Sequence, residues 1–155
     1  MLRRPPRHLA TVSVVLVSLL GFASLSQQKK AGVEFTDARK QTEEFIRHYE
    51  TIELTPAQER VKRDALGPLP APCCSDNSAY TCCCKCNLSR TIWGLSAYLI
   101  TEHDYDAEGV RDAVVEWVQF IAPEGFSGNV CYKRGCGRAF SRNGCGGMSA
   151  SQVIW

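Results

Sequence analysis

Residues 81–95 read TCCCKCNLSRTIWGL, and this stretch places four cysteines within five positions directly before a helical pattern. Leu88, Ile92, Leu95 and Leu99 then follow one another at intervals of four, three and four residues. Because that spacing puts their side chains on one face of an α-helix, it predicts a helix packed against a core. The stretch therefore predicts a cluster of thiols at the N-terminal end of a buried helix.

Capping residues predict where the helices begin. Asn87 or Ser89 can cap the helix that follows the cysteines, and Asp37 can cap a first helix near the start. The segment 55–58, TPAQ, combines a capping hydroxyl, a proline and a glutamine in the order that opens a second helix. Asp106 can cap a fourth. Since no segment alternates convincingly with a period of two, we predict a mainly α fold.

Two loops rich in cysteine and glycine accompany these helices. The tail from residue 126 onward has many glycines and few apolar side chains, so we expect its order to come from cross-links or bound metal. We therefore predict a small helical domain whose two loops are joined by metal, disulfides or both. The nine cysteines are Cys73, Cys74, Cys82, Cys83, Cys84, Cys86, Cys131, Cys136 and Cys145.

The N-terminal segment has the pattern of an export signal. Three arginines precede an uncharged apolar run at residues 9–25, which is 17 residues long. A run of that length is typical of a secretory signal peptide and also reaches the lower limit for a membrane anchor. We expect the protein to be exported, periplasmic or extracellular, with residues 1–26 as its signal peptide or anchor.

The rest of the chain divides by composition into two parts. Residues 27–72 form a charged, cysteine-free helical arm that ends in the proline-rich segment GPLPAP, and residues 73–155 form a cysteine-rich helical domain. Without residues 1–26 the chain has 15 basic against 16 acidic residues. This balance gives no sign of a basic nucleic-acid-binding patch, so we expect no nucleic-acid partner.

Clustered thiols in an exported chain have three competing uses, of which the first two are disulfide formation and metal binding. Disulfides are the usual one, but a bridge between sequence neighbours is strained, so every cysteine of the CC and CCC runs needs a distant partner. Soft thiolates also bind zinc, copper or iron–sulfur clusters, and Cys83 and Cys86 have the two-residue gap common in such sites. The main prediction is a soft metal site drawing on all nine cysteines, with Cys82, Cys83, Cys84 and Cys86 as the leading ligands.

A third use is thiol–disulfide exchange. Cys83-x-x-Cys86 stands before a helix, with Lys85 between the two cysteines, and helix N-termini and positive charges favour thiolates. Over about residues 83–125 the chain resembles the periplasmic thiol oxidoreductases of cytochrome c maturation, which carry C-x-x-C at the start of a helix. The resemblance implies that Cys83 and Cys86 form a reactive pair. That family does not normally carry seven further cysteines, which favours the metal site.

A disulfide-stapled structural subunit is a further alternative. Such a subunit would belong to a membrane or envelope complex and would dock through the helical arm, using residues 34–66. Several enzyme classes lack support, because G-x-S-x-G, H-E-x-x-H and a glycine-rich phosphate loop after a strand do not occur. The sequence leaves open whether the protein is an enzyme.

Overall fold

Four α-helices and a short β-hairpin make up most of the part of the chain that the computed structural model describes, which is residues 32–126, 129–131 and 133–155. This mainly α domain with a cysteine-rich cluster confirms the predicted fold class. The elements are α1 (Ala38–Thr51), α2 (Pro56–Leu66), β1 (Pro70–Ala71), β2 (Cys74–Ser78), α3 (Asn87–His103) and α4 (Ala107–Ile121), followed in the tail by single 3-10 turns at Gly135–Gly137 and Phe140–Arg142.

Side-chain caps begin three of the helices as the sequence predicts. The Asp37 carboxylate accepts a hydrogen bond from a first-turn N–H of α1 at 3.0 Å. Thr55 and Gln58 form the predicted capping box at α2, where each side chain accepts from the other residue's backbone N–H. Asp106 accepts from a first-turn N–H of α4 at 2.8 Å. These local bonds satisfy N–H groups that have no partner within the helix.

Helices α1 and α3 come into close contact at Gly94. A Cβ atom at position 94 would overlap the backbone carbonyl of Phe45 and would lie 2.9 Å from the backbone nitrogen of Tyr49. Only glycine allows the two backbones to come so near. Phe45 is buried in the core at this crossing, where its ring packs edge-on against Trp117 of α4 at 4.9 Å between centroids.

The first two helices belong to the same core as the cysteine-rich segment. The described residues on both sides of position 72 belong to one compact unit. Leu66 at the end of α2 is fully buried in the shared core. The Arg111 side chain of α4 donates to the backbone carbonyls of Asp64 and Ala65, which ties α4 to the end of α2.

A short antiparallel hairpin, which the sequence did not predict, carries the first two cysteines. Strand β1 has only two residues, and β2 reads CSDNS, so neither gives a period-two pattern. Their register is irregular between Pro70 and Ala71. Because the pairing depends on neighbouring backbone and not on side-chain alternation, local sequence patterns give no sign of it.

No helix among the described residues is long and apolar enough to cross a membrane. The apolar run at residues 9–25 and the boundary expected after residue 26 lie outside the described residues. The signal-peptide or anchor assignment therefore stays a prediction.

The helix crossing gives a first test. We expect Gly94→Ala to lower the free energy of unfolding by about 1–3 kcal/mol or more, because the added methyl forces α1 away from α3. Urea unfolding followed by circular dichroism measures this change. Gly137→Ala is the matched control, since nothing lies within 4 Å of a Cβ built there. Equal stability of the two variants would contradict the close crossing.

Candidate metal centre

The start of α3 is capped by the tail and not by a side chain. Cys86 is the N-cap residue, and its side chain makes no capping hydrogen bond. Instead the backbone N–H groups of Asn87 and Leu88 donate to the carbonyls of Gly147 and Cys145 at 2.9 and 3.0 Å. Since these N–H groups have no partner inside the helix, the tail supplies the acceptors they need. This pairing brings Cys145 to the first cysteine loop.

The Asn87 side chain completes the attachment of the tail. Its amide nitrogen donates to the carbonyls of Gly146 at 2.8 Å and Ser149 at 2.9 Å, and it also approaches the carbonyl of Gln152 at 3.4 Å. Asn87 is completely buried. The expectation that Asn87 or Ser89 caps α3 is therefore wrong. The Asn87 amide binds carbonyls, and the Ser89 hydroxyl donates to the Cys84 carbonyl at 2.7 Å, which holds the cysteine loop against the helix.

A second backbone contact joins the two loops near Cys131, whose N–H donates to the carbonyl of Cys73 at 3.2 Å. The tail also has a small apolar anchor, because Val130 and Phe140 are buried and the Phe140 ring meets Trp155 edge-on at 5.6 Å. The expectation that the tail's order must come from cross-links or metal was too narrow. Apolar burial and the bonds to α3 also hold it.

The attachment of the tail to α3 and the backbone bond between Cys131 and Cys73 bring five thiols together. We call them the inner group: Cys73, Cys82, Cys86, Cys131 and Cys145. The sulfurs of Cys73, Cys131 and Cys145 all lie within 4.8 Å of one another. Cys73 lies 3.6 Å from Cys131 and 3.9 Å from Cys82, sulfur to sulfur. Four sulfurs around a tetrahedral zinc ion at about 2.3 Å are separated by about 3.8 Å. The observed spacing suits such an ion.

Three thiols form a second set, the outer group, which consists of Cys83, Cys84 and Cys131. Their sulfurs also lie within 4.8 Å of one another. Cys84 lies 3.5 Å from Cys83 and 3.9 Å from Cys131, sulfur to sulfur. Cys83 is exposed, whereas Cys84 and Cys131 are half-buried. Cys131 thus belongs to both groups.

Two predicted ligands fall outside these groups. The Cys74 sulfur is buried and accepts a hydrogen bond from the Asn77 amide at 3.4 Å. Cys136 is half-buried in a 3-10 turn of the tail. All nine cysteines are free thiols in the structure, and seven of them belong to the inner or the outer group.

Hydrogen bonds between the thiols shift their acidity. The Cys145 and Cys73 thiols both interact with Cys86 and hold the pKa of Cys86 well below its ordinary value. A hydrogen bond from Cys73 lowers the pKa of Cys82 to about 7. Burial raises the pKa of Cys131 to about 11. The inner group therefore favours thiolate at Cys86 and Cys82, which is the form that binds metal.

The Cys83-x-x-Cys86 pair is divided between the two groups. Cys86 is completely buried with Cys73 and Cys145, while Cys83 is exposed beside Cys84. A hydrogen bond to Cys84 raises the pKa of Cys83 to about 12. A reactive thiol needs both access to solvent and a lowered pKa. Each of these two cysteines has only one of those properties.

Comparison with known protein families, characterised proteins and solved structures finds no match for this chain. The site is therefore interpreted from its own geometry and chemistry.

Sequence reasoning identified the thiols but missed the residues that position them. Asn87 and Ser89 looked like ordinary helix caps because their neighbours in sequence suit that role. The Ser89 hydroxyl instead donates to the Cys84 carbonyl, and the Asn87 amide donates to tail carbonyls 59 and 62 residues away. No local pattern predicts bonds over that separation.

The role of Asn87 gives a second test. We expect Asn87→Ala to destabilise the protein by about 1–3 kcal/mol, because the carbonyl of the buried Gly146 and that of Ser149 lose their donor. Amide hydrogen exchange should show faster exchange in residues 143–155 than in α1. Asn77→Ala is the control, since Asn77 makes one bond to the Cys74 sulfur. Unchanged protection of the tail in Asn87→Ala would contradict this attachment.

Proposed function

We propose that the protein is an exported metal-binding protein whose inner group holds a soft metal ion through thiolates. The observation that carries the proposal is the meeting of Cys73, Cys131 and Cys145, whose sulfurs lie within 4.8 Å of one another. Cys73 and Cys131 are separated by 58 residues in sequence, so the fold itself brings them together. Ligand sets of this kind, drawn from two loops, can hold an ion and stabilise the fold at once.

The arrangement suits a metal ion better than disulfides. A disulfide joins one sulfur to one other, at about 2.05 Å. Cys73 has four other sulfurs around it, those of Cys82, Cys86, Cys131 and Cys145, and no single bridge uses them all. One metal ion at the centre would bind several of these sulfurs together. This sulfur geometry disfavours the alternative of a disulfide-stapled subunit of an envelope complex.

The donor atoms indicate the class of metal. Both groups consist only of cysteine sulfur, with no carboxylate or imidazole among their members. Soft thiolates select zinc, copper(I) or iron–sulfur clusters over calcium and magnesium. We propose a soft ion of that class. Binding or delivery of the ion fits a buried site better than a reaction on a substrate, because Cys73, Cys86 and Cys145 are all buried.

Thiol–disulfide exchange through Cys83 and Cys86 has less support. The two cysteines lie in different groups, and Cys86 is buried. Exchange requires attack by an accessible thiolate and resolution by a nearby second thiol. The divided pair does not provide that arrangement.

Export is part of the proposal and rests on the N-terminal sequence pattern. Three arginines followed by the uncharged run at residues 9–25 are typical of a signal for membrane translocation. Sequencing the N-terminus of protein taken from the exported fraction tests this directly. A chain that is found only in the cytosolic fraction would contradict it.

The metal site gives a third test. We expect the protein, purified without oxygen, to carry a soft metal ion, which native mass spectrometry and elemental analysis would measure. Cys73→Ser and Cys145→Ser should each lower the bound metal severalfold, because each removes a sulfur from the inner group. Chelation should loosen the tail, seen as faster hydrogen exchange in residues 129–131 and 133–155.

Cys74→Ser is the matched control. It also removes a buried thiol, but one that lies outside both groups, so the metal content should stay near that of the unchanged protein. Protein with no metal and four disulfides would overturn the proposal and favour the disulfide-stapled subunit. Equal metal loss in Cys74→Ser and Cys73→Ser would overturn the ligand assignment.

A further inference from the structure

We infer that the outer group is a second soft-metal site, joined to the first through Cys131. This inference rests on the proposed function, since it extends the inner site to a two-ion centre. The outer group provides three thiol sulfurs, those of Cys83, Cys84 and Cys131, within 4.8 Å of one another. Three thiolates and one external ligand complete a tetrahedral set around an ion such as zinc.

The position of Cys131 supports two ions that share a ligand. Its sulfur lies 3.6 Å from that of Cys73 in the inner group and 3.9 Å from that of Cys84 in the outer group. A thiolate has several lone pairs and can bridge two soft ions. Because Cys131 stands between the groups, one sulfur can serve both ions without movement of either loop. The backbone bond from Cys131 to the Cys73 carbonyl fixes it there.

The run of consecutive cysteines is explained by this division. Cys82 lies against Cys73 in the inner group, whereas its neighbours Cys83 and Cys84 belong to the outer group. The Cys83 and Cys84 sulfurs lie 3.5 Å apart, whereas Cys82 turns to Cys73. Two neighbouring sites, one using Cys82 and the other using Cys83 and Cys84, account for all three adjacent cysteines.

The two ions should differ in how easily they exchange. Cys83 is exposed and Cys84 half-buried, while Cys73 and Cys145 of the inner group are buried. A chelator or an external thiol can therefore reach the outer ion first. The exposed side chains of Lys85, Lys133 and Arg134, which are near neighbours of these cysteines in sequence, supply positive charge for an anionic metal–thiolate centre. The outer site is thus suited to receiving or releasing an ion.

Zinc binding counted by native mass spectrometry tests the inference. Reduced, metal-free protein is titrated with Zn²⁺ under anaerobic conditions, and we expect two bound ions. A chelator should remove one of them at least tenfold faster than the other. The double variant Cys83→Ser with Cys84→Ser should bind one ion and lose the fast phase. The double variant Cys74→Ser with Cys136→Ser is the control, since it also removes two thiols and should still bind two ions.

The outcomes separate this inference from the proposed function. One ion in the unchanged protein would overturn the second site and leave the inner site standing. No ion would overturn both. Two ions retained in Cys83→Ser with Cys84→Ser would show that the second site lies elsewhere, which overturns the assignment to the outer group. Circular dichroism of each variant confirms that the helices persist, so that a loss of folding is not counted as a loss of ligands.

Discussion

The buried amide of Asn87 joins the tail of the protein to the start of α3, and the arrangement of the thiols depends on that contact. The amide donates to carbonyls of the tail, while the first N–H groups of α3 donate to the carbonyls of Gly147 and Cys145. Helix N-termini leave such N–H groups without partners, and a side chain usually supplies the acceptor. Here the distant tail supplies the acceptors, so the hydrogen bonds that satisfy the start of α3 also position Cys145. The same backbone hydrogen bonds thus satisfy polar groups of the helix and fix the position of a thiol.

The packing of α1 against α3 stabilises the helix that makes this contact. At Gly94 the backbones of α1 and α3 come so close that a side chain cannot fit between them. The Trp93 side chain of α3 donates to the Ala79 carbonyl at 2.8 Å, which holds the loop that leads to Cys82. A binding site keeps its geometry when its ligands stand on packed elements. Thus α1, although it contains no cysteine, helps to position α3 and the sulfurs at its start.

Adjacent cysteines in this chain serve different neighbours. The exception is the pair Cys83 and Cys84, whose sulfurs lie 3.5 Å apart in the same group. Cys73 lies in the inner group while Cys74 binds Asn77, and Cys82 lies in the inner group while Cys83 lies in the outer one. The crowded thiols therefore divide into two groups that share the Cys131 sulfur. That arrangement connects the unusual sequence with the proposed binding of soft ions.

The helices can be predicted from the amino-acid sequence alone, because their signals are local. Asp37, Thr55 and Asp106 cap helices within three residues of themselves, and the apolar spacing along α3 marks its buried face. The sequence also identified the cysteines as the predicted metal ligands. Which sulfurs meet depends on the packed core, since Cys73 and Cys131 are 58 residues apart and Asn87 and Ser149 are 62 apart. Local propensity acts over a few residues, whereas contacts across such separations form only when the whole core is packed.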